Sequence, residues 1–505
     1  MTAPRLLTAV GATLANTAGA CPAATFVSSL GPQHMPLLLD RRSLLAATAA
    51  FAAFDVTRVR HAYAQGVPVQ LLAERRVLEV DGRAASVFGI RQRNGMAGIV
   101  LDPGQRFAVN LVNKSAEPTI IHWHGQTPPV RQDGVADTGF ETVIAAGAAQ
   151  TYDFAPRPGT HWMHSHHGLQ EQFLMAAPLI VRTTEDAAAD IQEVTVLLHD
   201  FSFRDPAEIL AGLTGGKDMK AGSAMPGMSM PGDAADLNDI EYDAYLANDR
   251  TLADPSVVRV ARGGRIRLRL INGATSTAFW IDLGALGGTV VAVDGNPVEP
   301  LQVKRIPMAQ AHRIDVILTI PRDGGAFPVL AQREGDQRRT GIILATSGAA
   351  VAKVSGDANE VAIPVDNSME RRLQALTPLE TRGADVVHTV ELSGAMMPYS
   401  WLMDGRTWTD HKPLAVTKGQ RVEMEILNRS AMAHPMHLHG HHFQVIALNG
   451  TPLSGAIRDT VLVPANGSAR IAFDADNPGR WLFHCHNLYH MAVGMMTEVR
   501  YGEAS

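Results

Sequence analysis

Most of this chain consists of short apolar runs separated by glycine- and proline-rich turns, and helical periodicity is scarce. Three of the runs share one pattern, in which an arginine opens the run and an asparagine closes it at the same spacing: Arg106 to Asn113, Arg265 to Asn272 and Arg421 to Asn428. The residues between them alternate or run apolar, which is typical of a strand with at least one buried face. The chain therefore repeats one β-rich unit three times.

Histidine pairs distinguish the outer copies of this unit from the middle copy. At a fixed distance after the asparagine come, in order, His122 and His124, Ile281 and Leu283, and His437 and His439. At a second landmark, counted from Gly159, Gly325 and Gly479, come His164 and His166, Leu330 and Gln332, and His484 and His486. We therefore expect the chemistry to lie between the first and third units.

The repeat predicts an all-β protein built from three consecutive β-sandwich domains. The predicted boundaries are 65–188, 189–350 and 385–505, with a linker at 351–384. The second domain carries a low-complexity, methionine-rich insert at 217–231 that does not resemble a packed element.

Composition narrows the class of protein. The chain has 505 residues, of which 46% are hydrophobic and 19% charged, enough for about three globular domains. Its net charge of -6 provides no broad cationic surface, so we predict that it does not bind nucleic acid.

Residues 1–64 are predicted to be an extension and a signal peptide. Arg41 and Arg42 precede an apolar run from Leu44 to Phe54, and Ala62-Tyr63-Ala64 offers a cleavage site, as in a twin-arginine signal. The run is well short of the ~20 residues of a membrane-spanning helix, so no stable membrane anchor is expected. The signal predicts contact with the twin-arginine export machinery and a periplasmic or secreted location, whether translation starts at Met1 or Met35.

Cysteine usage sets one residue apart. The chain contains only Cys21 and Cys485, and removal of the signal leaves Cys485 alone. A single thiol in an oxidising compartment is a liability unless it is buried or bound to a metal.

Four clusters of potential metal ligands follow from the histidine pairs: His122-Trp-His124, His164-Ser-His166, His434-Pro-Met-His437-Leu-His439, and His484-Cys485-His486 with His490 and Met495 behind it. Residues two apart on a strand project to the same face, so each pair offers two imidazoles to one side. Histidine, cysteine and a weak methionine form the ligand set of a blue copper site, which here is His434, Cys485, His490 and Met495. Structural zinc prefers several cysteines, so copper is favoured over zinc.

In this order, around a ligand-poor middle unit, the four clusters resemble the multicopper oxidase family over essentially the whole mature chain. The resemblance implies three cupredoxin-like Greek-key domains and four copper ions. Of these, one is the type 1 ion at Cys485, and one is a type 2 ion held by His122 and His437. Two type 3 ions would be held by the remaining six paired histidines, His124, His164, His166, His439, His484 and His486.

Proton and substrate residues are predicted on the same basis. Asp133 matches the aspartate that the family places beside the cluster, where it would deliver protons, although an Asp-Gly turn explains it equally well. Many relatives carry another carboxylate after the last histidine pair, and this chain has none there, which leaves a second proton route open.

Methionines point to cuprous ion as one substrate. Soft thioethers select Cu(I), so the insert methionines Met219, Met225, Met228 and Met230 are predicted to gather it. Met432 matches a methionine of cuprous oxidases in the family, but Ser430 replaces the aspartate expected near it. The predicted Cu(I) site at Met432 therefore lacks one of the residues that cuprous oxidases of the family carry.

The predicted activity is one-electron oxidation of Cu(I), small phenols or aromatic amines, coupled to reduction of dioxygen to water, by a monomer. A copper-sequestering protein with an incidental oxidase centre is the alternative from another class. A metal-free scaffold would not need this complete ligand set, and a copper nitrite reductase would not need eight paired histidines.

Overall fold

The structure is a computed structural model and describes residues 67–215 and 237–502. The predicted signal segment and the methionine-rich insert lie outside these residues. No helix among the described residues is long and apolar enough to cross a membrane.

The first unit consists of two four-stranded sheets. Its strands are β1 (Val69–Val80), β2 (Arg83–Gln92), β3 (Ile99–Leu101), β4 (Phe107–Asn113), β5 (Ile121–His122), β6 (Ala149–Phe154), β7 (Gly159–Ser165) and β8 (Ala176–Val181). One sheet has the order β2-β1-β4-β6 and the other β3-β8-β7-β5. A 3-10 turn at Val130–Gln132 follows β5, and helix α1 (Thr184–Ala188) leads to the next unit.

The second unit pairs a six-stranded sheet with a five-stranded one. Helix α2 (Pro206–Thr214) follows its first strand. Its strands are β9 (Gln192–Phe201), β10 (Ala244–Ala247), β11 (Ser256–Val260), β12 (Arg265–Asn272), β13 (Phe279–Asp282), β14 (Gly288–Val293), β15 (Asn296–Val303), β16 (Arg305–Met308), β17 (Arg313–Thr319), β18 (Ala326–Arg333) and β19 (Arg339–Thr346).

The third unit repeats the arrangement with a seven-stranded and a five-stranded sheet. Its strands are β20 (Val386–Met396), β21 (Tyr399–Met403), β22 (Leu414–Val416), β23 (Arg421–Asn428), β24 (His434–Leu438), β25 (Phe443–Leu448), β26 (Thr451–Pro452), β27 (Ile457–Arg458), β28 (Thr460–Val463), β29 (Ser468–Asp474), β30 (Arg480–Cys485) and β31 (Met496–Tyr501). Helix α3 (Leu488–Ala492) lies between the last two strands, and 3-10 turns occur at Glu370–Arg372 and Trp408–Asp410. The prediction of an all-β fold with three cupredoxin-like sandwiches is confirmed.

The repeated Arg–Asn run forms the same strand in each unit. β4, β12 and β23 each pair in parallel with the first strand of their unit and antiparallel with a later strand. The closing asparagine is buried and its amide holds the following loop: in the third unit, Asn428 Nδ2 donates to the carbonyls of Met432 and Pro464. An asparagine is suited to this position because its side chain replaces backbone partners in a turn. The same loop leads directly into the strand that carries the histidine pair.

Strand register corrects the alignment of the middle unit. β5 and β7 pair His122 with His164, and β24 and β30 pair His437 with His484. In the middle unit β13 and β18 pair Ile281 with Ala331. Ala331 and Arg333 therefore stand where Leu330 and Gln332 were predicted, because the pairing with Ile281 is shifted by one residue along β18. The conclusion that this unit lacks the paired histidines is unchanged.

The segment 351–384 packs against the second and third units. Ala362 and Val365 join a buried cluster with Trp280 and Leu462, and Trp280 Nε1 donates to the carbonyl of Ile363. This segment therefore forms one wall of the boundary between the two units.

Candidate metal centres

Eight paired histidines meet where the first and third units face each other. They come from β5, β7, β24 and β30 and the residues just beyond these strands, and all are buried: His122, His124, His164, His166, His437, His439, His484 and His486. His122 lies against His439 with ring centroids 3.9 Å apart, and His124 lies against His437 at 3.7 Å. The structure thus brings the paired histidines of the first and third units together in one cluster, as the sequence predicts.

The outward ring nitrogens of this cluster are held by the surrounding backbone. Nδ1 of His122 donates to the carbonyl of Asp133 at 2.8 Å, Nδ1 of His437 to that of Asp459 at 2.9 Å, and Nδ1 of His484 to that of Cys485 at 2.9 Å. A carbonyl only accepts, so each of these Nδ1 atoms carries the proton. The lone pair is then on Nε2, which points into the cluster.

The inward nitrogens have no partner of their own within the described chain. Nε2 of His122, His164, His166, His437 and His486 and Nδ1 of His124 are buried without a hydrogen bond. Nε2 of His439 and Nε2 of His484 lie 3.0 Å apart, and both of these rings donate through Nδ1, so two lone pairs face each other. Such an arrangement is unfavourable unless a cation lies between the nitrogens.

Electrostatics keeps these rings in the form that binds metal. Burial, followed by the neighbouring imidazoles, holds the pKa of His439 and of His484 well below the usual value. Burial likewise lowers the pKa of His124, with His437 as the next cause. Neutral imidazoles are the ligand form of histidine, so the cluster is prepared for cations rather than for protons.

A second group of ligands lies on the other side of Cys485. Its sulfur is 3.7 Å from Nδ1 of His434 and 3.6 Å from Nδ1 of His490, and the two nitrogens are 3.2 Å apart. Cys485 and both histidines are fully buried. Burial raises the pKa of the Cys485 thiol, so binding of a metal as the thiolate would release the thiol proton.

One helical turn positions three of these residues. Asn487 caps α3 by accepting from the backbone of Tyr489 and His490, and His490 lies within the helix. The Met495 amide donates to the His490 carbonyl, and the Cys485 amide donates to the Met495 carbonyl. Met495 is fully buried in this turn. The donor set of two histidines, one thiolate and one thioether fits copper.

The two sites are connected through the chain. His484 and His486 belong to the eight-histidine cluster, while Cys485 between them faces His434 and His490. Alternation of side chains along β30 produces this arrangement, because neighbouring residues of a strand point to opposite faces.

The outer nitrogens of the second site have two different partners. Nε2 of His434 lies 2.8 Å from the hydroxyl of Ser430, whereas Nε2 of His490 lies 3.0 Å from the carboxylate of Asp239. Trp401 stacks on His490 with centroids 4.1 Å apart. Asp239 comes from the second unit and also accepts from the amide of Asn487. Nothing in the sequence spacing indicated this contact.

Carboxylates surround the eight-histidine cluster. Asp133 Oδ2 accepts from His439 Nδ1 at 2.9 Å, which places the predicted residue beside the cluster. Glu171, which the sequence reasoning missed, lies 2.9 Å from Nδ1 of His164, and its burial raises its pKa to about 8. Asp137 is 3.6 Å from Nδ1 of His166. The first unit thus supplies three carboxylates to the cluster, from Asp133, Glu171 and Asp137.

Asp459 was also missed by the sequence analysis, and it joins the cluster to a buried ionic network. Its Oδ1 lies 3.2 Å from Nε2 of His124, and Arg313 donates to both of its oxygens. The guanidinium lowers the pKa of Asp459 to about 2 against the opposing effect of burial. Arg313 also donates to the Thr160 carbonyl. One side chain from the second unit therefore binds both the first and the third.

We expect Arg313→Met to lower the free energy of unfolding by about 3 kcal/mol or more, because it leaves Asp459 charged, buried and unpaired. Denaturant unfolding of the metal-loaded protein measures this. The control Arg382→Met breaks an exposed pair with Asp474 and should change the unfolding midpoint little. Equal shifts of the unfolding midpoint in the two variants would contradict the conclusion that Arg313 compensates a buried charge on Asp459.

The predicted substrate methionines fall in two places. Met432 is buried and lines a cleft beside His434. The methionines of the insert lie outside the described residues, as does the predicted signal segment; they are Met219, Met225, Met228 and Met230.

Comparisons with known proteins agree with this geometry. Three sequence profiles described as multicopper oxidase match residues 73–186, 193–353 and 383–505. The chain is 33% identical over 412 residues to multicopper oxidase MmcO of Mycobacterium tuberculosis, covering 79% of this chain and 80% of that protein. It is 28% identical to a copper resistance protein A homolog of Pseudomonas syringae pv. tomato, covering 84% and 91%. A crystal structure of laccase from Botrytis aclada shares the fold, with a TM-score of 0.70 at 22% identity, covering 88% of this chain and 89% of that one.

Proposed function

The chain belongs to the multicopper oxidase family, a class of copper-dependent oxidoreductases, and from this premise we propose how it works. It takes electrons singly from a donor at the site of Cys485 and reduces dioxygen to water at the eight-histidine cluster. The observation that carries this proposal is that Cys485 is bonded on either side to a histidine of the cluster.

We assign four copper ions. His434, Cys485, His490 and Met495 hold the type 1 ion, and His122 and His437 hold the type 2 ion. The six remaining histidines divide into two triads that hold the type 3 pair. One triad is His166, His439 and His484, whose ligand atoms lie within 4.8 Å of one another. The other is His124, His164 and His486, whose ring centroids are 5.0 to 5.6 Å apart.

When bound, copper supplies the one-electron chemistry at the first site and the multi-electron reduction of dioxygen at the second. The chain contributes the bonded route from Cys485 to His484 and His486. It also contributes enclosure, because every imidazole of both sites is buried and bulk water is excluded. The carboxylate of Asp133 accepts a hydrogen bond from His439. It therefore stands beside the cluster, where it would deliver the protons that water formation needs.

The proposed substrates are Cu(I), small phenols and aromatic amines, all of which give up single electrons. Both type 1 histidines are fully buried, so a donor does not touch the ligand rings from solvent. The outer nitrogens of these rings contact buried side chains, the Ser430 hydroxyl on His434 and the Asp239 carboxylate on His490.

Recruitment of Cu(I) by the methionine-rich insert is supported by where its flank lies. Leu237 is the first described residue after the insert and lines the cleft that also contains Met432. Asp239, two residues further on, contacts His490. The described chain therefore resumes, after the insert, beside the type 1 site.

Replacing Met219, Met225, Met228 and Met230 together by serine should raise the KM for Cu(I) about tenfold and leave the KM for a phenol within twofold. The thioethers bind Cu(I) and have no role toward phenols. Oxygen uptake against the concentration of each donor measures both values. Equal changes for the two donors would count against recruitment.

Copper sequestration remains the alternative function, because relatives named copper resistance protein A are similar over most of the chain. Turnover separates the two: a storage protein binds a fixed amount of Cu(I), whereas an oxidase consumes dioxygen continuously. A fully copper-loaded protein that consumed no oxygen with Cu(I), a phenol or an aromatic amine would overturn the oxidase assignment.

We further propose that the protein is exported by the twin-arginine route to the periplasm or the exterior and acts as a monomer. The three domains are assigned to 65–188, 189–350 and 385–505, joined by 351–384. Strand pairing supports these limits, because β1–β8, β9–β19 and β20–β31 each form their own sheets.

A further inference from the structure

Asp133 stands beside the eight-histidine cluster but is itself buried, at 3% exposure. Its Oδ2 accepts from His439, and its Oδ1 has no hydrogen-bond partner among the described residues. A carboxyl group that delivers one proton after another has to regain each of them from the solvent. A buried donor therefore needs a neighbour that connects it with the surface.

Glu141 lies between Asp133 and the surface of the first unit. Its Oε1 accepts from the backbone amide of Gly134, the residue after Asp133, at 2.6 Å. Its Oε2 accepts from Nε2 of Gln150 at 2.8 Å. Glu141 is 7% exposed, whereas Gln150 is half-buried on β6, the last strand of its sheet, and Thr142 beside Glu141 is exposed. One carboxyl group thus contacts the loop of Asp133 through one oxygen and a surface residue through the other.

The carboxyl group of Glu141 holds a proton up to neutral pH. Burial raises its pKa to about 7, and the negative charge of Asp133 adds to that effect. Hydrogen bonds from the amides of Gly134 and Val135 and from the side chain of Gln150 oppose the shift without cancelling it. The charge of Asp133 therefore acts directly on Glu141, and carboxyl groups this close exchange a proton through a single bridging water.

The other polar groups around Glu141 do not take over this role. Tyr152 on β6 faces it, and burial raises the pKa of that hydroxyl, so Tyr152 stays protonated at neutral pH. Arg131, on the 3-10 turn of the same loop, lies over the ring of Phe140 at 5.4 Å from the centroid. Among the described residues Glu141 forms no ion pair, so its charge is free to change.

The remaining carboxylates near the cluster are less suited to bring protons in. Despite its burial, Arg313 holds the pKa of Asp459 at about 2, so Asp459 stays ionised. Glu171 is 3% exposed and is enclosed by protein. Asp137 is partly exposed and lies 3.6 Å from Nδ1 of His166, which makes it the rival to be tested.

We propose that Glu141 relays protons from the solvent to Asp133 during the reduction of dioxygen. The inference rests on the proposed oxidase function and adds a residue that acts through Asp133 rather than on the copper ligands. In each step the O–H bond of Glu141 breaks, an O–H bond forms on Asp133, and Glu141 regains its proton from water at the surface. Four protons and the four electrons from the donor convert one dioxygen to two waters.

The test compares the wild type with Glu141→Gln and Glu141→Asp. The glutamine keeps the shape of the side chain and, once the amide of Gln150 rotates, both hydrogen bonds, but it carries no acidic proton. The matched control is Glu79→Gln, at an exposed glutamate that also accepts from a glycine amide, that of Gly82. Asp137→Asn removes the rival carboxylate.

Oxygen uptake by the copper-loaded protein, with Cu(I) and with a phenol, gives kcat and kcat/KM as functions of pH. In the wild type kcat should fall as the pH rises through about 7, because Glu141 loses its proton there. Glu141→Gln should lower kcat about thirtyfold below that pH with both donors and abolish this pH dependence. Its kcat/KM for each donor should stay within about twofold, since the donor half of the reaction is untouched. Glu141→Asp should recover part of the rate.

Infrared difference spectra of the resting, copper-loaded protein give a readout that does not depend on turnover. A protonated-carboxyl band should vanish as the pH rises through about 7 and be missing from Glu141→Gln. Glu79→Gln and Asp137→Asn should both retain it. Copper content and blue absorption should be the same in the wild type, the Glu141 variants and the control.

The relay would be overturned if Glu141→Gln kept either the infrared band or the pH dependence of kcat. Loss of copper from Glu141→Gln would also overturn it, because Glu141 would then only hold the loop of Gly134. A pH dependence lost in Asp137→Asn alone would assign the proton route to the rival. A wild type that consumed no oxygen with any donor would instead overturn the oxidase function, and the relay with it.

Discussion

Cys485→Ser is expected to remove the intense blue absorption and to lower oxygen uptake by more than about a thousandfold with every donor. Only a thiolate gives the strong copper bond of a blue site, and a serine hydroxyl at this position provides neither that bond nor the electron route into His484 and His486. Removing one member of a set of groups that act as a unit costs nearly the whole rate enhancement. The measurement is oxygen uptake together with the absorption spectrum of the copper-loaded protein.

The fold should survive this change. Serine is slightly smaller than cysteine, and the surrounding strands β24 and β30 are held by their own backbone pairing. Copper in the eight-histidine cluster should therefore be retained and be detectable by metal analysis. Met496→Leu, a conservative change at the buried neighbour of the axial ligand, is the control and should keep its colour and activity. Turnover by Cys485→Ser at more than a tenth of the wild-type rate would contradict the proposed electron route.

Asp133→Asn should lower kcat by about a thousandfold while the copper content and the blue absorption are unchanged. The carboxylate accepts from His439 Nδ1 at 2.9 Å and lies close to His122, so it stands where protons enter the cluster. Positioned general acids contribute roughly a hundredfold to ten-thousandfold to rates. An amide of the same shape still accepts the hydrogen bond from the ring but does not deliver a proton.

The effect of the Asp133 substitutions is measured as steady-state kcat in H2O and in D2O. We expect a larger solvent isotope effect in Asp133→Asn, and partial recovery of rate in Asp133→Glu. Asp153→Asn makes the same chemical change at an exposed pair with Arg106 and should leave kcat within twofold. If Asp133→Asn lost copper along with activity, its role would be to hold His439 rather than to move protons.

Local pattern was sufficient to predict the strands and the paired ligands. The Arg–Asn runs became β4, β12 and β23, and the histidine pairs lie at or next to the strands that follow them. Both features depend on neighbours in sequence, because side-chain alternation along a strand has a period of two residues. The predicted register of the middle unit was wrong by one residue, since Ala331 rather than Leu330 pairs with Ile281, and a glycine landmark in sequence does not fix which residue of the strand lies opposite.

Contacts between units had no such local signature. Asp239 of the second unit contacts His490 of the third, and Asp459 of the third unit contacts His124 of the first. The cleft that contains Met432 is formed by three separate parts of the chain, so no single segment contains it. No spacing in the sequence encodes these distances, because they are set by how whole sandwiches pack.

The amino-acid sequence by itself determined the class of protein, the repeated sandwich and the set of candidate metal ligands, since each depends on residue type and on periodicity along a strand. Tertiary structure alone decided which carboxylates surround those residues and which of their nitrogens face inward. Those properties arise when buried groups from distant segments must satisfy one another's charges and hydrogen bonds, a condition that exists only in the folded chain.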